Sequence, residues 1–232
     1  DFLIDTFSQS APYRLNNEMI WAIHQHGDQL WVGTDGGLEA IDTINRSSQV
    51  ITPEGLGLND SIYQINTLDD THISLSTTNG IFVVNTETFA SQRFSEWTGG
   101  KNSLKNKTIY QSYADPMILG RIWYLTSKGI YFWDKGSADL TQLVFNPKFP
   151  ALNSASYRVI LRDKAGRLWV GGDKSFGYFN QNNQYVSKNN LFSHMNGIPL
   201  LFNVTEVKKD LFWLGTSQNG LFEYNFTTEE LT

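Results

Sequence analysis

The 232-residue sequence contains no cysteine. That absence removes disulfide frameworks, thiolate zinc sites, iron–sulfur clusters and cysteine nucleophiles in one step. It also fits a periplasmic location, where free thiols are a liability. Charge is scarce as well: Asp, Glu, Lys and Arg make up 18% of the chain, with 18 Lys+Arg against 23 Asp+Glu and a formal net charge of −5. An acidic balance argues against non-specific nucleic-acid binding, and low charge beside many aromatics argues against disorder. No run approaches ~18 consecutive apolar residues, so no membrane-spanning helix is expected. A long helical period is missing too, and helix is expected to be nearly absent. The chain starts at Asp1 without Met or signal peptide, which reads as an excised or processed segment of something longer.

What the sequence has in excess is aromatic surface: 7 Trp, 10 Tyr and 15 Phe, 14% of the chain. This much rigid apolar area can bury a sizeable core. The aromatics recur with a period. The segment Leu30-Trp31-Val32-Gly33-Thr34-Asp35-Gly36-Gly37-Leu38 returns around Ser74, Trp123, Trp169 and Trp213, at spacings of 43, 49, 46 and 44 residues from position 31. A second signal precedes each copy, at Ile20-Trp21, Ile62-Tyr63, Ile109-Tyr110, Tyr157 and Leu201-Phe202.

One repeat reads as a four-stranded meander. The first strand starts at the upstream aromatic, and the Trp strand joins the third strand through Asp-Gly, Asn-Gly or Lys-Gly pairs that supply the positive φ of a tight turn. The third strand ends at Asp42, Asn85, Asp134, Asn180 or Asn225, whose short side chains bond their own backbone and turn the chain. Runs such as Gln92-Arg93-Phe94 and Gln142-Leu143-Val144-Phe145 supply the fourth strand. Alternation places Trp31 and Gly33 on one face and Val32 and Thr34 on the other, so both faces are apolar and each sheet is expected between two similar sheets. Four-stranded units of this length describe β-propeller blades. The predicted fold class is all-β, within a single domain over residues 1–232, with blades at approximately 11–52, 53–98, 99–146, 147–188 and 189–232. Residues 1–10 read as an outer strand that closes the ring by exchange between the termini.

The motif Leu30-Trp31-Val32-Gly33-Thr34 with Gly37-Leu38 resembles the two-component regulator propeller repeat family, and so does Asp163-Lys164-Ala165-Gly166-Arg167-Leu168-Trp169-Val170-Gly171. The second copy departs at Ser74 and the fourth at Ser175, which marks those two blades for structural deviation. The resemblance implies a periplasmic ligand-sensing region of a bacterial membrane receptor whose output is a histidine kinase, hybrid kinase or diguanylate cyclase. The strand count reads as a closed five-bladed ring, whereas the resemblance implies the alternative, five blades of a seven-bladed propeller.

Linkers leading into each first strand are expected to ring the channel mouth with the hairpin turns, where loops on a rigid scaffold carry function. They supply the candidate ligand-binding residues Tyr13, Arg14, Asn17, Glu18, Asn59, Asp60, Trp97, Lys105, Lys107, Tyr157, Arg158, His194 and Asn196. Such side chains stack on and hydrogen-bond a small polar molecule or a glycan. Nine aromatics, Trp31, Trp123, Trp169 and Trp213 with Trp21, Tyr63, Tyr110, Tyr157 and Phe202, are expected to be blade packing, which leaves chiefly Tyr13 and Trp97 for ligand contact. His24 and His26 share a strand face, but no third ligand sits at a matching spacing, so no metal is expected. His72 reads as a solvated turn residue. No cofactor and no catalytic residue is expected. Partners other than a ligand are adjacent receptor domains or a receptor dimer partner. The alternatives are a structural protein-interaction propeller and a glycosidase using a carboxylate pair such as Glu18 and Asp60.

Overall fold

Four hairpins are closed by the same threonine device. Thr34, Thr77, Thr126 and Thr216 each donate a side-chain hydroxyl to a carbonyl three or four residues on, at Gly37, Gly80, Gly129 and Gly220. The same hydroxyl oxygen accepts a turn N–H from Gly36, Asn79, Lys128 or Asn219. The four glycines all have positive φ, from 74° to 124°, which a side chain would strain. The far end of the third strand is turned by a side-chain amide or carboxylate: Asp42, Asn85, Asn180 and Asn225 each accept two backbone N–H groups from residues two to four positions on. Local chemistry thus punctuates the chain before any packing is considered.

The structure is a computed structural model that describes residues 15, 17–45, 47–57, 59–102 and 104–232. The strand expected at residues 1–10 lies outside the described residues. Five four-stranded antiparallel sheets follow one another along the chain. The first holds β1 (Ile20–His26), β2 (Gln29–Thr34), β3 (Gly37–Asp42) and β4 (Ser47–Ile51). The second holds β5 (Ile62–Thr67), β6 (His72–Thr77), β7 (Gly80–Asn85) and β8 (Ser91–Arg93). The third is β9 (Ile109–Ala114), β10 (Arg121–Thr126), β11 (Gly129–Asp134) and β12 (Thr141–Gln142). β13 (Tyr157–Arg162), β14 (Leu168–Gly172), β15 (Phe176–Phe179) and β16 (Tyr185–Ser187) form the fourth. β17 (Leu201–Lys208), β18 (Leu211–Thr216), β19 (Leu221–Asn225) and β20 (Glu230–Leu231) form the fifth. Each sheet is a simple meander, and the sheets are β-propeller blades. The chain divides into two compact units, Asp1–Ile109 and Tyr110–Thr232.

Several expectations are corrected. Phe94 does not extend the fourth strand of the second blade; it starts the short helix α1 (Phe94–Thr98) and is fully buried. In the third blade the fourth strand stops at Gln142, because the Phe145 N–H turns to Asn153 Oδ1 (2.7 Å) and its ring packs on Tyr157, Phe179 and Tyr185. The fourth blade deviates as expected: Gly172 and Ser175 replace the threonine and glycine of the hairpin, and β15 is left with four residues. In the second blade the strand that carries Ser74 does not deviate, since Ser74 is buried and pairs with Val83 in full register.

Within the first unit the core lies between the first two sheets, with Trp31, Leu38, Ile62, Leu75 and Phe82 buried together. Within the second unit one cluster joins the third and fourth sheets and another the fourth and fifth. The glycine two residues after the repeat's tryptophan permits the approach. A Cβ on Gly33 would sit 2.8 Å from Ile62 of the next sheet, and one on Gly171 would sit 3.2 Å from Leu201. The fifth sheet differs. Among the described residues Gly215 meets no atom closer than 3.8 Å, and that from its own sheet, and Trp213 is 46% exposed where Trp31 and Trp169 are fully buried. Among the described residues the face carrying Trp213 is open, contrary to the expectation of blade packing for this tryptophan.

Candidate functional site

The first strand of a blade carries one register break. Ile20 faces Thr34 and Ala22 faces Gly33, which leaves Trp21 without a partner. The same break leaves Tyr63 between Ile62 and Gln64, Arg158 between Tyr157 and Val159, and Phe202 between Leu201 and Asn203. Such a bulge re-aims one side chain while the strand on either side keeps its alternation. The residue before the bulge is buried in three of these strands, at Ile62, Tyr157 and Leu201, whereas the bulged residue is exposed at Trp21 and Phe202 and partly buried at Tyr63 and Arg158. Tyr110 holds the corresponding second place in β9.

This register corrects the alignment of the fourth repeat. Tyr157 is the equivalent of Ile62 and Leu201, not of Tyr63 and Phe202. It is fully buried, stacks on Phe145 and donates its hydroxyl to Leu152 O (2.9 Å). Burial pushes its phenol pKa well up. The bulged position of this blade belongs to Arg158, which is partly buried, while Trp21 (48% exposed) and Phe202 (55%) are open in theirs.

In the first unit Trp21 meets Tyr63 edge to face at 5.3 Å. Its Nε1–H donates to Asp35 Oδ1 (2.6 Å), which also accepts from the Ser61 hydroxyl (2.6 Å). The indole is thereby fixed with much of its face open. In the second unit the Arg158 guanidinium lies 3.8 Å from the centre of the Tyr110 ring and 6.0 Å from that of Phe202. Cation–π contact with two rings holds the guanidinium plane. Such a row can stack on a flat ligand and hydrogen-bond to it.

The candidate residues from the linkers are placed as follows. Tyr13 and Arg14 lie outside the described residues. Asn17 caps its own turn by accepting the Met19 N–H (2.8 Å), and Glu18 is exposed. Asn59 is exposed, but both carboxylate oxygens of Asp60 are engaged, by the Gly57 N–H (2.7 Å) and the Thr78 hydroxyl (2.7 Å). Asp60 is a loop clasp. Trp97 stands on α1 with its ring against His72 (5.7 Å) and Phe94 (5.8 Å). Lys105 is exposed, and the Lys107 carbonyl accepts the Gly80 N–H (2.9 Å) at the second blade's hairpin. His194 and Asn196 are exposed, and Asn196 lines a concavity of about 700 Å³ with Leu200, Ser217, Gln218 and Asn219 in the fifth blade.

His24, His26 and His72 fall at the opposite strand ends. His24 Nε2 and His26 Nδ1 both approach Thr67 Oγ1, at 2.9 and 3.2 Å, and His26 Nε2 donates to the Asp70 carbonyl (2.9 Å). Burial, and then the neighbouring His26, lower the His24 imidazole from its ordinary value. Among the described residues no group of three or more metal-ligating side chains occurs. His72 is not a solvated turn residue: it opens β6 and its Nδ1 contacts Asp69 Oδ1 at 3.0 Å.

Buried carboxylates anchor the same turns in the second unit. Asp115 accepts from Arg162 (2.6 Å), Trp123 Nε1 (2.8 Å) and the Met117 N–H (3.0 Å). Burial works to raise its pKa, but these hydrogen bonds, Arg162 first, outweigh it and hold the carboxyl below its ordinary value. In the next blade Asp163 accepts from Trp169 Nε1 (2.8 Å) and from Arg167, which also pairs with Asp210.

The stretch from the turn before β13 to the hairpin after β14 contains both Asp163 with its bonded Trp169 and the bulged Arg158. Residues 151–174 match the two component regulator propeller family. No curated protein sequence matches the chain. The chain is matched in shape by larger solved structures. The extracellular domain of BT4673 from B. thetaiotaomicron, named as a one component system, superposes with a TM-score of 0.72 at 19% identity, over 94% of this chain and 28% of that one. The extracellular domain of BT3049 from the same organism, named as a hybrid two component system, gives 0.65 at 16% identity, over 97% and 29%. A chain of a nidogen/laminin complex gives 0.58 at 12% identity, over 92% and 78%. At these identities the shared property is the fold. The chain spans less than a third of the length of the two B. thetaiotaomicron domains.

Proposed function

We propose that this chain is a non-catalytic, extracytoplasmic ligand-sensing part of a bacterial two-component or diguanylate-cyclase receptor. The observation that carries the reading is the match of residues 151–174 to the two component regulator propeller, in a chain built of five successive four-stranded sheets. The structural neighbours that are extracellular domains of bacterial signalling systems support the same reading.

Within each unit, recognition is assigned to the bulged first-strand residues and the loops beside them, and the ligand is a small polar molecule or a glycan. Occupancy changes the packing of the domain on adjacent receptor domains or on a dimer partner, because a binding signal requires different affinities for two states. Glycosidase chemistry through Asp60 is disfavoured, since hydrogen bonds within its own loop and to Thr78 occupy both oxygens. A thermal-shift screen of the chain against saccharides, amino acids and nucleotides is expected to find one stabilising class. At a hundredfold excess over Kd the gain is about 2.7 kcal/mol. Failure of every class to stabilise the chain, or turnover of a glycan by it, overturns the reading.

A further inference from the structure

Arginine is committed almost everywhere in the described chain. Arg93 donates to the Asn79 and Gly55 carbonyls, Arg121 pairs with Asp134, Arg162 with Asp115, and Arg167 with Asp163 and Asp210. Arg158 is the exception: among the described residues it has no hydrogen-bond acceptor and no ion pair, only the rings of Tyr110 and Phe202. It stands at the bulge, the position re-aimed in each first strand, and it is half-buried rather than free to trail in solvent. A guanidinium stacked on an aromatic face keeps its N–H fork in one plane and unspent. Little side-chain entropy remains to be lost when an acceptor arrives.

We propose that Arg158 is the anchor of a carboxylate-binding site in the second unit, and that its ligand is a carboxylate carried on a ring, with the ring against Phe202 or Tyr110. This rests on reading the chain as a ligand-binding domain and names the chemistry of that ligand. A single planar fork matches a singly charged planar carboxylate through two parallel hydrogen bonds. Phe202, 55% exposed, leaves a ring face for the skeleton that bears the carboxylate. The two sources of such a group are sugar acids and aromatic acids.

Titration calorimetry of the whole chain with D-glucuronate and with benzoate, each against its neutral counterpart D-glucose or benzyl alcohol, tests the proposal. Saturable binding is expected for one carboxylate, at least ~tenfold tighter than for its neutral counterpart, and which one binds identifies the source. Arg158→Gln is expected to weaken it at least ~tenfold and Arg158→Lys to weaken it less, with both variants keeping cooperative thermal unfolding. Phe202→Ala, at an exposed position, is expected to weaken it without affecting folding. Equal binding of neutral and charged probes, undiminished binding by R158Q, or no saturable binding of either carboxylate overturns the proposal. If the carboxylates fail while a neutral compound from the thermal-shift screen stabilises both wild type and R158Q, the sensing reading stands and only the anion site falls.

Discussion

Asp115 shows how one buried carboxylate serves three purposes: it accepts a tryptophan N–H, neutralises Arg162 and closes its turn through Met117. Its side chain is fully buried, so removing its charge leaves Arg162 uncompensated. Asp115→Asn is expected to cost about 3 kcal/mol, read from urea unfolding at pH 7. Because the folded-state pKa lies below the ordinary value of 3.8, the ion pair contributes fully above that value. The contribution is lost as pH falls through the lower, folded-state pKa. Wild type should therefore lose stability more steeply than the Asn variant in that acidic range, and equal slopes would show that the pair does not matter. The partnership of Asp163 with Trp169 is legible in the run Asp163 to Gly171, whose Gly166 (φ 84°) makes the tight return. Arg158 is legible as a linker residue, but its equivalence to Trp21, Tyr63 and Phe202 is not. A bulge adds one residue to a strand without altering the repeat's period, so matching Tyr157 to Tyr63 and Phe202 is the natural choice and is off by one.

At the level of the strand, turns were readable and edges were not. Thr34 to Gly37 and its counterparts state their geometry in sequence, because a hydroxyl and a positive-φ glycine at fixed spacing allow few alternatives. Fourth strands carry no such signature. Each is held on one side only, so whether Phe94 or Phe145 continues the strand or dives into the core is decided by the cavity available to its ring, which local patterning does not encode. The close approach of neighbouring sheets gives a paired test. Gly33→Ala places a methyl group against the Ile62 backbone and is expected to cost about 1–3 kcal/mol, while Gly215→Ala, with nothing from another sheet within reach, should lie within about 0.5 kcal/mol of wild type by chemical denaturation. Similar losses at both sites would mean that the glycines serve the strand and not the packing between sheets.

For the chain as a whole, the period announced the all-β class and the four-stranded unit, since five tryptophan-strand copies and five upstream signals leave little freedom. The aromatic excess was harder to apportion. Trp31, Trp123 and Trp169 are core residues, while Trp21, Phe202 and Trp213 are open. A repeat reports which positions are equivalent, but not which copies have a neighbour to cover them. Trp169→Ala is expected to lose about 3–5 kcal/mol, whereas Trp213→Ala, half exposed and bonded only to Glu223, should lose about 1 kcal/mol. Urea midpoints of the two variants make the comparison, and equal losses would place Trp213 in a covered interface.

The register break at the head of the first strand also has an evolutionary meaning. Because Trp21, Tyr63, Arg158 and Phe202 sit outside the pairing ladder, each can be exchanged for a side chain of different size or charge while every cross-strand hydrogen bond keeps its partner. The barrel of a combination lock stays fixed while its dials turn. A lineage of such blades can drift from one chemical preference to another by single substitutions that selection for folding does not see.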